Sequence, residues 1–496
     1  MSRGSRHSSS ETLRKRAEVI EITHPLLVRI GQLADANKIE AYVVGGYVRD
    51  RLLGKEVKDI DIVVVGDGVA FAQTVADDLK RTRLVIYRRF GTAMMPLDDG
   101  KIEFVTAREE YYEKDSRKPH VRTASLKSDL SRRDFTVNTL AASINKERWG
   151  AVEDPFDGRR DLKTRILRTP LDPEKTFDDD PLRIMRAIRF AAQLRFSVEP
   201  KTLEAMRRMK ERLSIVSQER ITEEFLKILA SPKPSIGLSL MYDTGVADIV
   251  FPELAAMAGV DQRRDHHHKD VLLHTFQVID NISEATDKLW LRFIALVHDI
   301  AKPRTKAFRP GIGWTFHGHE EIGARMMKGI FRRMRLPMEH LPYVEKLVRL
   351  HLRPMVLVEE VVTDSAVRRL AFETGEDIDD LMALCRADIT SMNPTKVARY
   401  MKNYEIVVQK IKEVEQKDRL RQWQPPVRGE EIMQVCGLAP GPLVGKLKKA
   451  IEKAILDGEI ANEHDAALRY LLQIKDQMLK EPPGVSSHPK DKSDIQ

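Results

Sequence analysis

The spacing of apolar residues changes once along the chain, and this change limits the folds open to it. Up to about residue 107, short apolar runs separated by turn residues indicate strands at 41–44, 60–65, 84–87, 94–97 and 102–105, with helices over 12–35 and 69–82. The polar segment 107–131 is expected to be a long loop. From about residue 179 onward, apolar residues recur at helical spacing. These patterns predict an α+β chain with a small mixed-sheet head and a long all-α body.

Composition narrows the class of protein. The 496 residues are enough for about three domains. The 83 Lys and Arg exceed the 75 Asp and Glu, an excess that is compatible with a polyanionic partner. No segment approaches the roughly 18 apolar residues of a membrane span, so we expect no membrane partner. Two cysteines, Cys385 and Cys436, exclude a disulfide framework and a cysteine zinc site, and they favour a cytoplasmic location.

A glycine pair and two aspartates follow one another closely near the start of the head. Gly45 and Gly46 precede a short helical stretch that carries Arg49, and such a turn allows backbone N–H groups to approach a phosphate. Asp59 and Asp61 project from one face of the next predicted strand, where they repel each other unless a cation lies between them. Mg²⁺ prefers such oxygen ligands. Together these residues predict a phosphoryl-transfer site with Mg²⁺ on the aspartates and a triphosphate at the glycine turn, with Arg49 beside it.

Glu103 lies on a predicted strand that could neighbour the strand of the two aspartates. It is therefore a candidate third carboxylate, either as a metal ligand or as the base for a hydroxyl group. The alternative is an ordinary charge on an edge strand.

Four sequence blocks in a fixed order carry a family resemblance. The first block contains Gly45, Gly46 and the two aspartates, and three more lie at 132–140, 154–162 and 180–190. In this order they resemble the polymerase beta-like nucleotidyltransferase head of class II tRNA nucleotidyltransferases, the CCA-adding enzymes, and of bacterial poly(A) polymerases. A fifth block at 219–224 follows in the expected place.

The resemblance implies an enzyme that adds C, C and A to the 3′ end of tRNA from CTP and ATP and releases pyrophosphate. It implies that Arg133 contacts the nucleotide and that Asp134 and Asn138 contact its ribose. The loop at 107–131 would help to change from C to A addition. The implied partners are the tRNA 3′ end, CTP and ATP, and the implied cofactor of the head is Mg²⁺.

The block at 180–190 is expected to select the base. Asp179, Asp180, Arg183 and Arg186 recur at spacings of three and four, which predicts that they share one face of one helix while the apolar residues between them face the core. A carboxylate accepts a hydrogen bond from an exocyclic amine, and a guanidinium donates to ring atoms, so Asp180 and Arg183 can read both cytosine and adenine. Asp179 stands where the family pattern has glutamate.

Histidines and aspartates in the all-α body resemble the metal-binding pattern of the HD phosphohydrolase superfamily. The pattern implies a metal site formed by His274, His298, Asp299 and Asp388, which His319 and His351 could extend to two metals. Imidazole and carboxylate ligands suit Mn²⁺, Ni²⁺, Fe²⁺ or Mg²⁺. The triplet 266–268 is expected to be an exposed loop rather than a ligand set.

The expected order of domains follows from these blocks. Disordered tails are predicted at 1–20 and 481–496, a nucleotidyltransferase head at 21–165, a helical neck that binds nucleotide and RNA at 166–255, an HD domain at 256–400 and a tRNA-binding region at 401–480.

Three alternative functions stay open. The enzyme could be a poly(A) polymerase or could add only CC or only A; it could be an HD-type metal phosphohydrolase with an RNA-binding head; or it could bind RNA without catalysis.

Overall fold

A computed structural model describes residues 19–81, 83–111, 120–260, 270–311, 313–359, 363–391, 393–418 and 425–480. The chain divides into two compact units, Met1–Ala255 and Ala256–Gln496. Most of the predicted N-terminal tail, the whole predicted C-terminal tail and the histidine triplet at 266–268 lie outside the described residues. No helix in the described ranges is both long enough and apolar enough to cross a membrane.

The first unit contains a seven-stranded mixed sheet with the strand order β3-β4-β5-β2-β1-β8-β9 and two separate strand pairs, β6-β7 and β10-β11. In chain order its strands are β1 (Glu40–Val44), β2 (Asp59–Val65), β3 (Val85–Tyr87), β4 (Thr92–Leu97), β5 (Gly100–Thr106), β6 (Arg108–Tyr111), β7 (His120–Thr123), β8 (Ala141–Ser143), β9 (Val152–Glu153), β10 (Ile166–Leu167) and β11 (Ser197–Val198). Within the seven-stranded sheet, β2 and β5 are the parallel pair and the other neighbours are antiparallel.

Twelve helices of the first unit are described, and α1 and α3 pack against one face of this sheet. They are α1 (Pro25–Ala36), α2 (Gly46–Leu52), α3 (Gly68–Asp78), α4 (Leu126–Ser131), α5 (Gly158–Thr164), α6 (Pro173–Asp179), α7 (Leu182–Leu194), α8 (Pro200–Met209), α9 (Gln218–Leu229), α10 (Pro234–Asp243), α11 (Val246–Val250) and α12 (Pro252–Ala255).

Side chains alternate along β2, so its isoleucines and its aspartates face opposite sides of the sheet. Ile60 and Ile62 are fully buried in the core beneath α1 and α3, where Phe71 and Phe104 also pack. Asp59 and Asp61 occupy the alternate positions and therefore face the other side of the sheet. The predicted direction of these four side chains is confirmed.

Two expectations about the head are wrong in part. Residues 12–18 of the helix predicted over 12–35 lie outside the described residues, and within the described part the helix begins only at Pro25, because proline is tolerated in the first turn of a helix but not in its interior. Before it, Val19 bridges to Ala151 and Ile20 is buried in the head core, so these two residues of the predicted tail belong to the head.

The expected loop at 107–131 contains regular structure on both sides of the undescribed residues 112–119. Strands β6 and β7 pair as a ribbon, and α4 follows with Ser125 as its N-cap. The two strands, REEY and HVRT, are mostly polar, and the apolar pattern used for prediction is therefore weak there.

The second unit is almost entirely helical, as predicted, and its described strands are a single hairpin of β12 (Ala307–Arg309) and β13 (Gly313–Thr315). Its helices are α13 (Val271–Ala285), α14 (Leu289–Val297), α15 (Lys302–Thr305), α16 (His319–Arg333), α17 (Leu341–Leu350), α18 (Arg353–Glu359), α19 (Asp364–Thr374), α20 (Ile378–Ala387), α21 (Pro394–Asp418), α22 (Gly429–Cys436), α23 (Pro442–Leu456) and α24 (His464–Lys480). The last three helices share a separate apolar cluster around Ile432, Leu447 and Ile451.

A glycine in α1 allows this helix to approach the sheet closely. A Cβ atom at Gly31 would lie 2.1 Å from the carbonyl oxygen of Ile144 and 2.9 Å from the ring of Trp149. We expect Gly31→Ala to lower the free energy of unfolding of the head by about 1–3 kcal/mol, the usual cost of overpacking a core. The thermal unfolding midpoint measures this effect.

Gly329, inside α16, is the matched control because a Cβ atom there would meet no heavy atom within 4 Å. Gly329→Ala should raise the unfolding free energy by about 0.4–1 kcal/mol, since alanine is the better helix former. A Gly31→Ala protein with an unchanged midpoint would contradict the packing described here.

Candidate functional site

Three carboxylates gather on the open side of the head sheet. The parallel register of β2 and β5 places Asp61 directly beside Glu103, and Asp59 beside Lys101. Neighbouring strands are about 4.8 Å apart, so Asp59, Asp61 and Glu103 form one group at the beginning of β2. The expectation that the strand of Glu103 neighbours that of the aspartates is confirmed, and the Lys101 ammonium lies 3.6 Å from the Glu103 carboxylate.

The electrostatics of Asp61 indicate a place for a cation. Burial raises the pKa of Asp61, the Arg133 guanidinium opposes this effect, and the Glu103 carboxylate adds to it. A cation shared by these carboxylates would relieve both the burial and the repulsion. The donor set is composed of hard oxygen atoms, which fits Mg²⁺.

The glycine turn is a site of close approach rather than a simple phosphate cradle. Gly45 has a φ of +65°, and a Cβ atom there would lie 2.9 Å from Nη1 of Arg133. Its N–H donates to the carbonyl of Leu140 and is therefore already bonded within the head. Gly46 begins α2, where the first N–H groups have no partner within the helix.

A cavity of about 440 Å³ adjoins Asp61, and its lining is strongly cationic. It is lined by Gly45, Gly46, Arg49, Asp61, Arg132, Arg133, Asp134, Asn138, Asp180, Leu182, Arg183, Arg186, Arg189, Phe190 and Arg220. Seven arginines face three aspartates, which suits a ligand with several negative charges. All nine residues predicted from the sequence to bind nucleotide are in this lining.

A series of hydrogen bonds connects several of the side chains that line the cavity. Arg186 donates from Nε (2.8 Å) and Nη2 (2.6 Å) to one oxygen of Asp134, whose other oxygen accepts from Asn138 (2.9 Å). Asn138 in turn accepts from Arg49 (2.7 Å), which also pairs with Asp50. Burial opposes the charge of Asp134, but the Arg186 guanidinium outweighs it and lowers the pKa of this carboxyl.

The expectation that Asp180, Arg183 and Arg186 lie on one helix is wrong. Helix α6 ends at Asp179, Asp180 is extended with φ −147° and ψ 99°, and α7 begins at Leu182. The cause is Pro181, because a proline disfavours the helical conformation of the residue before it. The predicted core positions Leu182, Met185 and Ile188 are buried.

The two residues expected to select the base already have partners. Asp180 accepts from the Leu182 N–H (3.2 Å), and its second oxygen lies 3.4 Å from Nη2 of Arg220. Arg183 donates to the carbonyls of Thr176 (3.1 Å) and Arg132 (2.7 Å). Both side chains nevertheless line the cavity.

Sequence reasoning missed Phe190 as a member of the site. Its ring, 6% exposed, has three guanidinium groups near its centroid, those of Arg189 (4.1 Å), Arg49 (5.2 Å) and Arg186 (5.4 Å). The ring therefore gathers cations that would otherwise repel one another. The helical spacing of Arg186, Arg189 and Phe190 was the available signal.

The second unit contains a separate cluster of candidate metal ligands. Its members form two groups, His274 with His298 and Asp388, and Asp299 with His319 and His351; within each group the ligand atoms lie within 4.8 Å of one another. Nε2 of His319 lies 3.2 Å from Asp299 and 3.3 Å from Nε2 of His351, and Nε2 of His274 lies 2.9 Å from Asp388. All six residues expected from the sequence are brought together.

The histidines share one orientation. Nδ1 is hydrogen-bonded to the carbonyl three residues earlier in His298 (2.8 Å), His319 (2.8 Å) and His351 (2.7 Å), and in His274 to the Thr390 hydroxyl (2.9 Å). A histidine with Nδ1 bonded in this way presents Nε2 as its ligand atom. Each imidazole is thus directed at the centre of the cluster.

The charges of the cluster also fit a divalent metal ion. Among the described residues, the buried Nε2 of His298 has no hydrogen-bond partner. Burial disfavours its charged form, but the carboxylates of Asp299 and Asp388 outweigh burial and raise the pKa of His298 to about 10. Burial and the neighbouring His298 lower the pKa of His351 to about 3. A metal ion would bind the buried nitrogen and neutralise the two carboxylates.

Comparison with family models agrees with the domains seen in both units. The chain matches the poly A polymerase head domain over residues 41–168, a probable RNA and SrmB-binding site of polymerase A over 195–257, the HD domain over 271–393 and tRNA nucleotidyltransferase domain 2 over 362–471.

Whole-chain comparison identifies the family. The chain is 32% identical to an A-adding tRNA nucleotidyltransferase of Deinococcus radiodurans, over 86% of this chain and 94% of that protein. It is 34% identical to a multifunctional CCA protein of Acidovorax ebreus, over 71% and 82%. It shares the fold of a Thermotoga maritima CCA-adding enzyme complexed with tRNA, with a TM-score of 0.57, 23% identity and coverage of 91% and 96%. The chain therefore belongs to the tRNA nucleotidyltransferase family of enzymes.

Proposed function

We propose that the protein adds CCA to the 3′ end of tRNA from CTP and ATP, without a nucleic acid template. The observation that carries this proposal is the cationic cavity that adjoins the carboxylates Asp59, Asp61 and Glu103. The cavity has room and charge for a nucleoside triphosphate, and the carboxylates stand where its α-phosphate would meet an RNA hydroxyl. The names of the relatives, which include A-adding and multifunctional CCA enzymes, agree with this chemistry.

The side chains divide the work of the transfer between them. In the reaction, the terminal 3′-oxygen of the RNA bonds to the α-phosphorus and pyrophosphate leaves. Mg²⁺ held by Asp59 and Asp61 would activate the hydroxyl and stabilise the leaving group. Arg133 and Arg49 bind the triphosphate, and the pair of Asp134 and Asn138 orients the ribose.

We assign base selection to Asp180 and Arg183. The Asp180 carboxylate can accept from the exocyclic amine of cytosine or adenine, and Arg183 can donate to the ring. Their present partners, Arg220 and the carbonyls of Thr176 and Arg132, are contacts that an incoming base would replace. Arg220 is therefore a further contributor to base recognition.

The length of the product separates full CCA addition from the partial activities. Purified protein is given tRNA that lacks CCA, together with Mg²⁺ and CTP, ATP or both. Three added nucleotides with both substrates support the proposal. Addition of two cytidines only, of one adenosine only to a tRNA that already ends in CC, or of a long adenosine tail would each replace it by the corresponding activity.

We also propose an order of domains along the chain and a cytoplasmic location for the protein. The head at 21–165 and the neck at 166–255 would perform the transfer, residues 256–400 would form the HD domain and 401–480 would bind tRNA. The family matches over 41–168, 195–257, 271–393 and 362–471 support these limits approximately. The free thiols of Cys385 and Cys436 suit a reducing compartment.

A second function is proposed for the second unit, namely metal-dependent hydrolysis of phosphoesters. The observation that favours it is the convergence of four Nε2 atoms and two carboxylates in one buried cluster. Mn²⁺, Ni²⁺, Fe²⁺ or Mg²⁺ bound there would supply a metal-activated water. The chain itself contributes the fixed imidazoles and Lys302, whose ammonium lies 2.6 Å from Asp299.

Removal of the head carboxylates tests the first function. The double variant Asp59→Ala/Asp61→Ala should lose nucleotide addition by at least about 100-fold, because the group that holds the cation is gone. Asp98→Ala/Asp99→Ala is the matched control, since both aspartates are exposed at the turn between β4 and β5. Full activity of the first variant in a primer-extension assay would exclude this site.

Phe190→Leu should raise the KM for CTP and ATP by about tenfold while the KM for tRNA changes by less than about twofold. The reason is that leucine keeps the bulk of the side chain but removes the ring, and each cation–π contact is worth about 0.5–2 kcal/mol. Steady-state kinetics measures both constants. Phe190→Tyr should retain most of the affinity for nucleotide.

The control for this variant is Phe71→Leu, a fully buried phenylalanine of the head core that is not in the cavity lining. It should affect stability and leave the KM for nucleotide unchanged. Equal effects of the two substitutions on nucleotide KM would show that Phe190 acts only through packing.

Metal binding to the second unit should be visible as stabilisation. After treatment with EDTA, Mn²⁺ at 100 times its Kd should add about 2.7 kcal/mol to the free energy of unfolding and raise the thermal midpoint of the second unit.

Two variants test the ligands. In His319→Ala, Mn²⁺ should no longer raise the midpoint, and Asp299→Ala should lose phosphoester hydrolysis while nucleotide addition continues. The exposed His464, whose imidazole lies outside the cluster, supplies the control His464→Ala. An unchanged midpoint in wild-type protein would refute the metal site.

A further inference from the structure

The β12-β13 hairpin presents aromatic surface on an otherwise helical unit. Phe308 and Trp314 face each other across its two strands, with ring centroids 5.2 Å apart in an edge-to-face arrangement. Phe308 is 47% and Trp314 40% exposed, and they are the two most exposed aromatic side chains in the described part of the second unit. Exposed aromatic pairs of this kind mark binding surfaces more often than they serve stability.

The residues that flank the hairpin on both sides contact the metal cluster. The hairpin occupies the chain between Asp299 and His319, so that both of its ends are tied to candidate ligands. At one end Lys302 pairs with Asp299, and its ammonium also lies 5.7 Å from the ring of Phe316. At the other end the carbonyl of Phe316 bonds to Nδ1 of His319. His319 follows Trp314 by five positions, so their Cα atoms are at most about 17 Å apart.

The charged side chains in and around the hairpin are all cationic. From residue 300 to 318 the chain contains Lys302, Arg304, Lys306 and Arg309 and no aspartate or glutamate. The Lys306 ammonium lies 4.6 Å from the centroid of the Trp314 ring. Cations interleaved with exposed rings are the composition that binds the bases and phosphates of single-stranded nucleic acid.

We propose that the β12-β13 hairpin is the base-binding wall of the metal cluster. The nucleobase of a nucleotide stacks on Trp314, Lys306 contacts its phosphate, and the phosphoester to be cleaved lies at the cluster. The ligand is a nucleotide unit, supplied either by a free mononucleotide or by the end of an RNA strand. The inference rests on the proposed hydrolase function for its catalytic role, but the binding of a base to the hairpin can be tested without catalysis.

Kinetics with matched substrates tests the specificity. Protein loaded with Mn²⁺ is given a nucleoside 3′-monophosphate, a short oligouridylate with a 3′-phosphate, and glycerol 2-phosphate, which has no base. Trp314→Ala should raise the KM about tenfold for base-bearing substrates, the usual effect of losing one stacked base, and should not change it for glycerol 2-phosphate. Trp314→Phe should restore the affinity to within about threefold.

Met338→Ala is the matched control, because Met338 is an apolar side chain of the same unit with 45% exposure and lies outside the hairpin. A larger effect of Trp314→Ala on the oligouridylate than on the mononucleotide identifies an RNA end as the source of the ligand, and equal effects identify the free nucleotide. Equal KM changes for base-bearing and base-free substrates would overturn the proposal.

Photocrosslinking measures the binding itself. An oligoribonucleotide with 5-iodouridine is irradiated with the full-length metal-free protein, and the modified peptide is identified by mass spectrometry. A crosslink to the peptide that contains Trp314, lost in Trp314→Ala and kept in Met338→Ala, supports base binding. Absence of that crosslink overturns it. If wild-type protein cleaves none of the three phosphoesters, the hydrolase function fails, and the crosslink alone then decides whether the hairpin binds a base.

Discussion

The ion pair between the buried Asp134 and the partly exposed Arg186 connects the parts on which the first unit depends. Arg186 belongs to α7, and Asp134 follows α4 in the head, so this pair joins the sheet-bearing part of the unit to its helical part. Asn138 extends the connection to Arg49 beside the glycine turn. Loss of Arg186 would leave the buried carboxylate of Asp134 without its compensating charge and would therefore destabilise the unit. The same bonds that hold the unit together therefore determine where the arginines of the cavity stand.

The cavity brings seven arginines together, and other groups of the chain reduce the repulsion between them. Carboxylates neutralise some of its seven arginines, backbone carbonyls occupy Arg183, and the ring of Phe190 attracts three others. The remaining positive potential is available to a polyphosphate. A site of this kind binds an anion tightly because its cations are already in place before the ligand arrives.

The sequence predicts the structure correctly where a local periodicity of apolar residues determines it. It predicts less where the structure depends on residues far apart in the chain. Period-two alternation placed Asp59 and Asp61 on one face of β2, and the order of blocks indicated the family. Nothing local showed that β5 would lie parallel to β2 with Glu103 beside Asp61, although the neighbourhood was anticipated. The spacing of Asp180 and Arg183 suggested one helix, and the effect of Pro181 on the residue before it was overlooked. Phe190 was missed because a phenylalanine on an amphipathic helix is ordinarily a core residue.

The orientation of the histidines in the second unit has a consequence for how its candidate metal site is encoded. In His298, His319 and His351 the carbonyl that fixes the ring belongs to the residue three positions earlier, so each of these ligands is a self-contained module of four residues. His274 is different, since its ring is fixed by Thr390, 116 positions away. The direction of this candidate ligand therefore depends on the docking of the segment after α20 against α13, a long-range contact, whereas the other three rings are directed by carbonyls three positions earlier in the chain.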